Sequence, residues 1–286
     1  MLDLEQGRAP VEPSDAATII VLRDASGGPE VYCVKRHVRS GFLGGAVVFP
    51  GGKLSADDAH PEWTVLTTGL GARAGALAAS EASGLAFAVA GLRELFEEAA
   101  LLTTTTHDLG HEHALALRER AGADGSEGAL RQLLRLEGLR LDTARLEALA
   151  RWVTPQAESR RYDTRFYLLP WHGPQVGRPD RHETTEGFWA TPAAVLQRWE
   201  LGELMLAPPT SHTLALLASA RSVGHATDIA AAQSLDPLCP HFAMDGELAV
   251  LALPGDPLYP GGGTLDTAAG PTRFVLRDGR FVPERA

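Results

Sequence analysis

The sequence predicts an α/β chain. Two β-branched runs, Thr18–Leu22 and Glu30–Lys35, flank the Gly-rich stretch Asp24-Ala25-Ser26-Gly27-Gly28 and read as a hairpin. A helix is expected through Leu92, Leu95, Phe96, Ala99 and Leu102, which fall on an arc from about 80° to 200° when Glu94 is set at zero. Beyond Asp236 the pattern changes to short strands, ending in a hairpin across Asp278-Gly279.

In chain order, residues 1–13 are polar, carry Pro10 and Pro13, and read as a flexible tail. The main domain is expected over 14–235. After the hairpin a short apolar run, Ala46–Phe49, is stopped by Pro50-Gly51-Gly52, where a proline and two glycines force a sharp structural turn. An insertion of weak helical character occupies about 53–82. Its segment Gly69-Leu70-Gly71-Ala72-Arg73-Ala74-Gly75 mimics a phosphate-binding loop but follows no convincing strand, and reads as plain loop. Ser83 stands at or beside the cap of the next helix. A second insertion, about 103–150, is read as two or three short helices broken by glycines. Strands follow at Asp163–Leu169 and Gly187–Ala190, then helices opened by Thr191-Pro192 and by Pro208-Pro209-Thr210. Residues 236–286 form the C-terminal β extension.

The formal net charge of −10 over 286 residues excludes a general nucleic-acid or anionic-membrane binder, since both need a basic face. No run approaches ~20 uninterrupted apolar residues, so no membrane span is expected. Cys33 and Cys239 make no disulfide framework and suit a reducing cytoplasm, and the N-terminus lacks the pattern of a signal peptide.

The chemistry concentrates in Arg93-Glu94-Leu95-Phe96-Glu97-Glu98. On a helix Glu98 falls about 40° from Glu94 and Glu97 about 60° to the other side, so three carboxylates share one face. Glu94 and Glu98 are a like-charge i,i+4 pair, and the positions four beyond Glu97 and Glu98 are Leu101 and Leu102. A patch so poorly neutralised by its own helix calls for a cation from elsewhere. Carboxylate oxygens suit Mg²⁺ or Mn²⁺ rather than zinc or copper, and magnesium is commonly shared with substrate phosphates. That combination fits cleavage of a phosphoric anhydride by metal-activated water. Arg93 is the neighbour placed to orient the glutamates.

These residues resemble the Nudix hydrolase signature, G-x5-E-x7-R-E-U-x-E-E-x-G-U with U aliphatic. Gly52 resembles the opening glycine, and Arg93, Glu94, Leu95, Glu97, Glu98 and Leu101 fill the second half in register. The resemblance implies an α/β/α sandwich with a mixed sheet and hydrolysis of a nucleoside diphosphate linked to another group. It makes Glu94, Glu97 and Glu98 metal ligands, one of them instead serving proton transfer, with Arg93 orienting them. Two positions depart from the pattern. Leu85 stands eight before Arg93 where a glutamate is expected, and Ala100 replaces the later glycine. An insertion inside the motif explains the leucine, with Asp57, Asp58 or Glu81 as stand-ins for the glutamate. The exchange at Ala100 is expected to be mild, since alanine is the next smallest side chain and a better helix former.

The insertion, with Ser40–Gly45, Trp152–Pro155, Arg161–Phe166 and Pro208–Thr210, is similar to the Nudix branch that includes the mammalian peroxisomal coenzyme A diphosphohydrolase. That likeness implies coenzyme A or an acyl derivative as substrate, cut to 3′,5′-ADP and 4′-phosphopantetheine. Nucleotide sugars, ADP-ribose and NADH are the alternatives, as is a degenerate module that binds without turnover. Glu183 and Glu186 are candidates for an extra ligand or base, and Arg160, Arg161 and Arg165 for substrate phosphates. His107, Asp108, His111, Glu112 and His113 mimic a metal cluster without a recognised spacing and read as a solvated helix start. The expected partner is a small nucleotide-type diphosphate, and an exposed sheet edge or the C-terminal strands offer a homodimer surface.

Overall fold

The computed structural model describes residues 2–105, 109–124, 126–261 and 270–286. In order the elements are β1 (Ser14–Arg23), β2 (Glu30–Arg36), β3 (Val47–Val48), β4 (Gly51–Lys53), α1 (Trp63–Leu66), α2 (Ala72–Gly75), α3 (Glu81–Ala99), α4 (His111–Asp124), α5 (Ala129–Glu137), β5 (Glu147–Val153), β6 (Tyr162–Pro170), β7 (Thr184–Ala190), α6 (Pro192–Glu200), α7 (Pro208–Leu217), α8 (Val223–Ala231), β8 (Pro237–Leu238), β9 (His241–Asp245), β10 (Leu248–Ala252), β11 (Arg273–Arg277) and β12 (Arg280–Glu284).

A mixed sheet runs β3-β2-β1-β6-β5-β8, with β4 also on β1 and β7 on β2. Strand β1 lies parallel to β6 over its whole length, from Ser14 opposite Tyr162 to Leu22 opposite Pro170. Its other edge is shared. Near the hairpin turn it pairs with β2 (Leu22 opposite Val31), and at its start with β4 (Ala17 opposite Gly52). The strands β1 and β2 therefore diverge, and β3–β4 wedges between them, carrying the Pro50-Gly51-Gly52 turn across the sheet.

Alternation along the central strands sends side chains into two cores, because both sheet faces are covered. Ile19 and Val21 join the helix-α3 side with Leu92, Leu95 and Phe96, whereas Ile20 and Leu22 join the side formed by α6, α7 and α8. This is the expected α/β/α sandwich. The C-terminal strands make a separate sheet, β12-β11-β10-β9, whose Leu251, Phe274 and Phe281 pack into the second core. It is docked on the domain rather than appended at a distance.

Several details differ from the sequence reading. The second insertion is not helical to residue 150, since β5 begins at Glu147 and pairs antiparallel with β6. Helix α8 has no counterpart among the expected elements. Ser80, not Ser83, caps α3; Ser83 is the third residue of the helix and completes a reciprocal capping box. The N-terminal tail, expected to be loose, makes defined bonds: the Asp3 N–H donates to Glu158 (2.7 Å) and the Glu5 N–H to the Ala157 carbonyl (2.9 Å). Ala100 is not helical. It terminates α3 in the left-handed region at φ 52°, ψ 33°, a conformation a glycine adopts without strain, so the replacement is not mild.

Candidate active site

Helix α3 presents its carboxylates toward the β3–β4 turn. Gly52 passes so close to Glu94 that a β-carbon there would run into the carboxylate, which accounts for a glycine at this point of the turn. The Gly51 N–H donates to Glu98 Oε2 (3.2 Å). Arg93 reaches across the same turn. Its Nη1 donates to Glu94 Oε1 and Glu97 Oε2, both at 2.9 Å, and its Nη2 to the Lys53 carbonyl at 3.0 Å.

The guanidinium's remaining donors identify what stands in for the missing glutamate. Arg93 Nε meets Asp58 Oδ1 at 2.9 Å and Nη2 meets Oδ2 at 3.0 Å, a two-point pair with an aspartate that is 1% exposed. Asp58 lies six residues after Gly52, at the spacing the signature gives its first glutamate, so the insertion falls after that position rather than before it. Counting forward from Gly52 finds it; counting back from Arg93 lands on Leu85. Of the other stand-ins, Asp57 is committed to Arg131 (2.8 Å), and Glu81 lies in the first turn of α3.

The patch remains overcharged. Burial and the neighbouring Glu94 push the Glu98 carboxyl up to about 8, against the opposing Gly51 N–H and Arg36. Burial likewise pushes Glu94 up to about 7, although Arg93 pulls the other way. Glu97 is raised by burial too. Glu183, the residue before β7, adds its negative field to all three and so lies near the patch. Glu186 is not there: it is exposed and paired with Lys35 Nζ (3.3 Å).

Among the described residues no three His, Cys, Asp or Glu side chains already converge as a metal-holding group. Glu94 and Glu97 are turned onto Arg93, and Glu98 onto Gly51. The donor set nevertheless fits a hard divalent cation: all-oxygen, crowded, and short of positive charge. His107 and Asp108 lie outside the described residues, while His111, Glu112 and His113 open α4.

The three candidate arginines separate. Arg161 is 8% exposed and donates to the Thr154 carbonyl (3.0 Å) and the Val11 carbonyl (2.6 Å). Arg165 is 6% exposed, paired with Asp15 (2.8 Å) and Asp163 (3.2 Å), and stacked 3.8 Å over Phe87. Both are framework residues, because strand alternation turns Arg165 into the α3 side rather than outward. Arg160 is exposed and lies directly on the backbone of Gly41, where a β-carbon would overlap it.

An apolar cavity of about 160 Å³ opens on the other side of the β3–β4 strand. Phe42, Trp152, Tyr162, Phe166 and Pro208 are among its walls, so four sequence segments far apart in the chain meet around one space. Phe49 lines it and the Gly51 N–H donates to Glu98, so one short stretch of chain touches both the cavity and the carboxylates. Tyr162 stacks 5.1 Å from Phe42, and Lys53 Nζ sits 5.5 Å from the Tyr162 ring.

The fold and these residues define a hydrolase of phosphoric anhydrides. A family model described as the NUDT19 Nudix domain matches residues 14–217, and the chain belongs to that family of Nudix hydrolases. It is 29% identical to an acyl-coenzyme A diphosphatase NUDT19 of Gallus gallus, over 86% of this chain and 79% of that one. The Homo sapiens protein of the same name is 27% identical over 81% and 72%. Among solved structures, a Nudix hydrolase from Alicyclobacillus acidocaldarius superposes with a TM-score of 0.65 at 29% identity, covering 77% of this chain and 97% of that one. Among the described residues no helix is long and apolar enough to cross a membrane.

Proposed function

We propose that the protein hydrolyses the diphosphate of coenzyme A or an acyl-coenzyme A, releasing 3′,5′-ADP and a 4′-phosphopantetheine, with Glu94, Glu97 and Glu98 holding Mg²⁺ or Mn²⁺. The observation that carries the substrate is the apolar cavity one strand away from the carboxylates, built by the same segments whose sequence is similar to the coenzyme A branch. The curated relatives are named for acyl-coenzyme A cleavage, which supports the same substrate.

In this reading Glu94, Glu97 and Glu98 would hold a divalent ion, which would supply charge neutralisation of the diphosphate and activation of water. The chain's own part is positioning. Asp58 locks the Arg93 guanidinium by two hydrogen bonds, and Arg93 in turn fixes the Glu94 and Glu97 oxygens at the turn. The Gly51 N–H fixes Glu98 through one oxygen, leaving the other for the cation or for a proton. Without the ion, burial pushes Glu94 and Glu98 up to about 7 and about 8, as expected of a carboxylate cluster short of positive charge. Glu183 is the fourth carboxylate of the site, and Arg160 with Lys53 supplies cations next to the cavity's wall residues for substrate phosphate. Two free cysteines, Cys33 buried and Cys239 half-buried, fit a cytoplasmic enzyme.

Purified protein supplied with Mg²⁺ or Mn²⁺ and assayed against coenzyme A, acyl-coenzyme A, NADH, ADP-ribose and nucleotide sugars tests the substrate. Glu97→Gln should lower kcat by about 10²–10³-fold or more, the scale set by removing one electrostatic stabiliser. Turnover surviving in that variant, or after thorough chelation, would end the catalytic assignment.

A further inference from the structure

The apolar cavity has walls that the family match does not contain. The match ends at residue 217 and begins at 14, yet Leu2, Pro240 and Leu251 all line the space. Leu2 is held in place by its neighbours: the Asp3 N–H bonds to Glu158, itself 2% exposed, and Leu4 forms an antiparallel bridge with the same residue. Leu251 comes from β10, is 1% exposed, and shares the second core with Phe166 and Leu168. The sheet that carries it is fastened to α6 through Arg280 Nη1, which donates to the Trp199 carbonyl (2.8 Å). Two segments from opposite ends of the chain thus converge on a space whose other walls belong to the domain.

Among the described residues no charged side chain lines the cavity. Aliphatic and proline side chains and five aromatic rings make up most of the wall, with hydroxyls from Thr18, Thr154, Thr164 and Thr210 as the polar side-chain groups besides Tyr162 and Trp152. Reading a purine edge requires several placed donors and acceptors, which such walls supply sparsely. A flexible uncharged chain with an occasional amide and a hydrocarbon end is served by apolar walls and a few hydroxyls. The charged half of a diphosphate substrate has its partners on the carboxylate side and among the cations next to the wall residues, Lys53 beside the Tyr162 ring and Arg160 against Gly41.

We propose that Leu2, Pro240 and Leu251 close a pocket for the uncharged arm of the substrate, the pantetheine with its acyl group, and that these flanking segments set how long an acyl group is accepted. The proposal rests on the coenzyme A reading given above. A space of about 160 Å³ is the size that admits one benzene-sized group, so it holds only part of that arm, and a short acyl group fills it before its walls must move. Within that limit each added methylene that enters should raise kcat/KM by roughly three- to fourfold, and beyond it the gain should stop.

The test measures kcat/KM for free coenzyme A and a series of acyl-coenzyme A chain lengths in the full chain, in Leu2→Trp and in Leu2→Ala, together with inhibition by each product. Leu2→Trp should lower kcat/KM for short acyl thioesters about tenfold through KM, with kcat little changed. The same variant should weaken inhibition by 4′-phosphopantetheine and leave inhibition by 3′,5′-ADP as it was. Leu2→Ala, which keeps the fold's contacts with a smaller side chain, should move the preferred length upward. A chain-length profile unmoved in both variants overturns the pocket assignment, and so does a selective loss of 3′,5′-ADP inhibition, which would put the base there instead. Wild-type protein that cleaves another nucleoside diphosphate derivative but no coenzyme A thioester removes the substrate reading itself, and that result is visible without any variant.

Discussion

Arg93 and Arg273 are built alike and used differently. Each guanidinium grips one buried aspartate at two points, Arg93 with Asp58 and Arg273 with Asp256, and each reaches a second, more exposed carboxylate. At Arg273 the account closes. Burial pushes Asp256 up, but Arg273, the Leu258 N–H and Thr272 outweigh it and hold the carboxyl below its ordinary value. At Arg93 one guanidinium faces Asp58, Glu94 and Glu97, with Glu98 and Glu183 close by, and Glu94 and Glu98 end up well above the ordinary range. A structural ion pair is complete within the chain. The Arg93 patch is left with surplus negative charge and perturbed carboxyls, which is what the proposed cation site would show.

The sharpest way to break this comparison is to remove the aspartate from each hub. Asp58→Asn and Asp256→Asn should each cost about 3 kcal/mol in denaturant unfolding, the lower end for breaking a buried pair, because each arginine keeps a second carboxylate partner. Only Asp58→Asn should also lower kcat, by about ten- to a hundredfold, since only Arg93 positions the glutamates proposed as metal ligands. Equal activity in the two variants would erase the distinction between the hubs.

The surplus charge also sets a pH dependence. Glu94 and Glu98 titrate near 7 and 8 in the folded protein against 4.5 for the ordinary group, so between those values the native state binds more protons than the unfolded chain. Stability of the metal-free protein should therefore fall as pH rises from about 5 to about 8. His212 works in the opposite sense at lower pH. Burial holds it down at about 4, so its stabilisation is present above 6.5 and lost as pH falls through 4. Millimolar Mg²⁺ or Mn²⁺ should raise Tm more at pH 8 than at pH 5.5. A shift equal at both values would count against a cation held by these carboxylates.

A smaller effect is expected at the end of α3. Ala100→Gly should stabilise the protein by about 1 kcal/mol, because alanine carries a left-handed penalty that glycine does not. Unchanged or lowered stability would mean the strain is relieved elsewhere. The smallest effect belongs to the exposed Glu186–Lys35 pair, where Glu186→Gln should move stability by less than about 0.5 kcal/mol and leave kcat alone. Glu183→Gln, beside the patch, should lower kcat while costing as little stability.

Much of this was legible in the chain itself. The hairpin, the Pro50-Gly51-Gly52 turn and the amphipathic Leu92–Glu98 helix depend on short-range periodicity and turn chemistry, so their residues announce them. The second hairpin, Arg273–Glu284, was equally plain from Asp278-Gly279. Strand β5 escaped because Glu147–Val153 follows a helical stretch without a turn signal and is made a strand by its partners β6 and β8. Arg161 and Arg165 resembled phosphate ligands because arginine's chemistry is the same in a framework pair as in a binding site. Only the neighbours Val11, Asp15 and Asp163 decide between them.

By itself the sequence determined the α/β class, the three-glutamate helix and its likeness to the Nudix signature, since each is written in residues close together. Tertiary structure decided the rest. It chose Asp58 over Asp57 and Glu81 as the partner of Arg93, showed residue 100 to be a left-handed cap, and gathered Leu2, Phe42, Trp152, Pro208 and Leu251 around one cavity. Contacts among residues tens to hundreds of positions apart are set by how the sheet and its two helical layers pack. No local pattern encodes them.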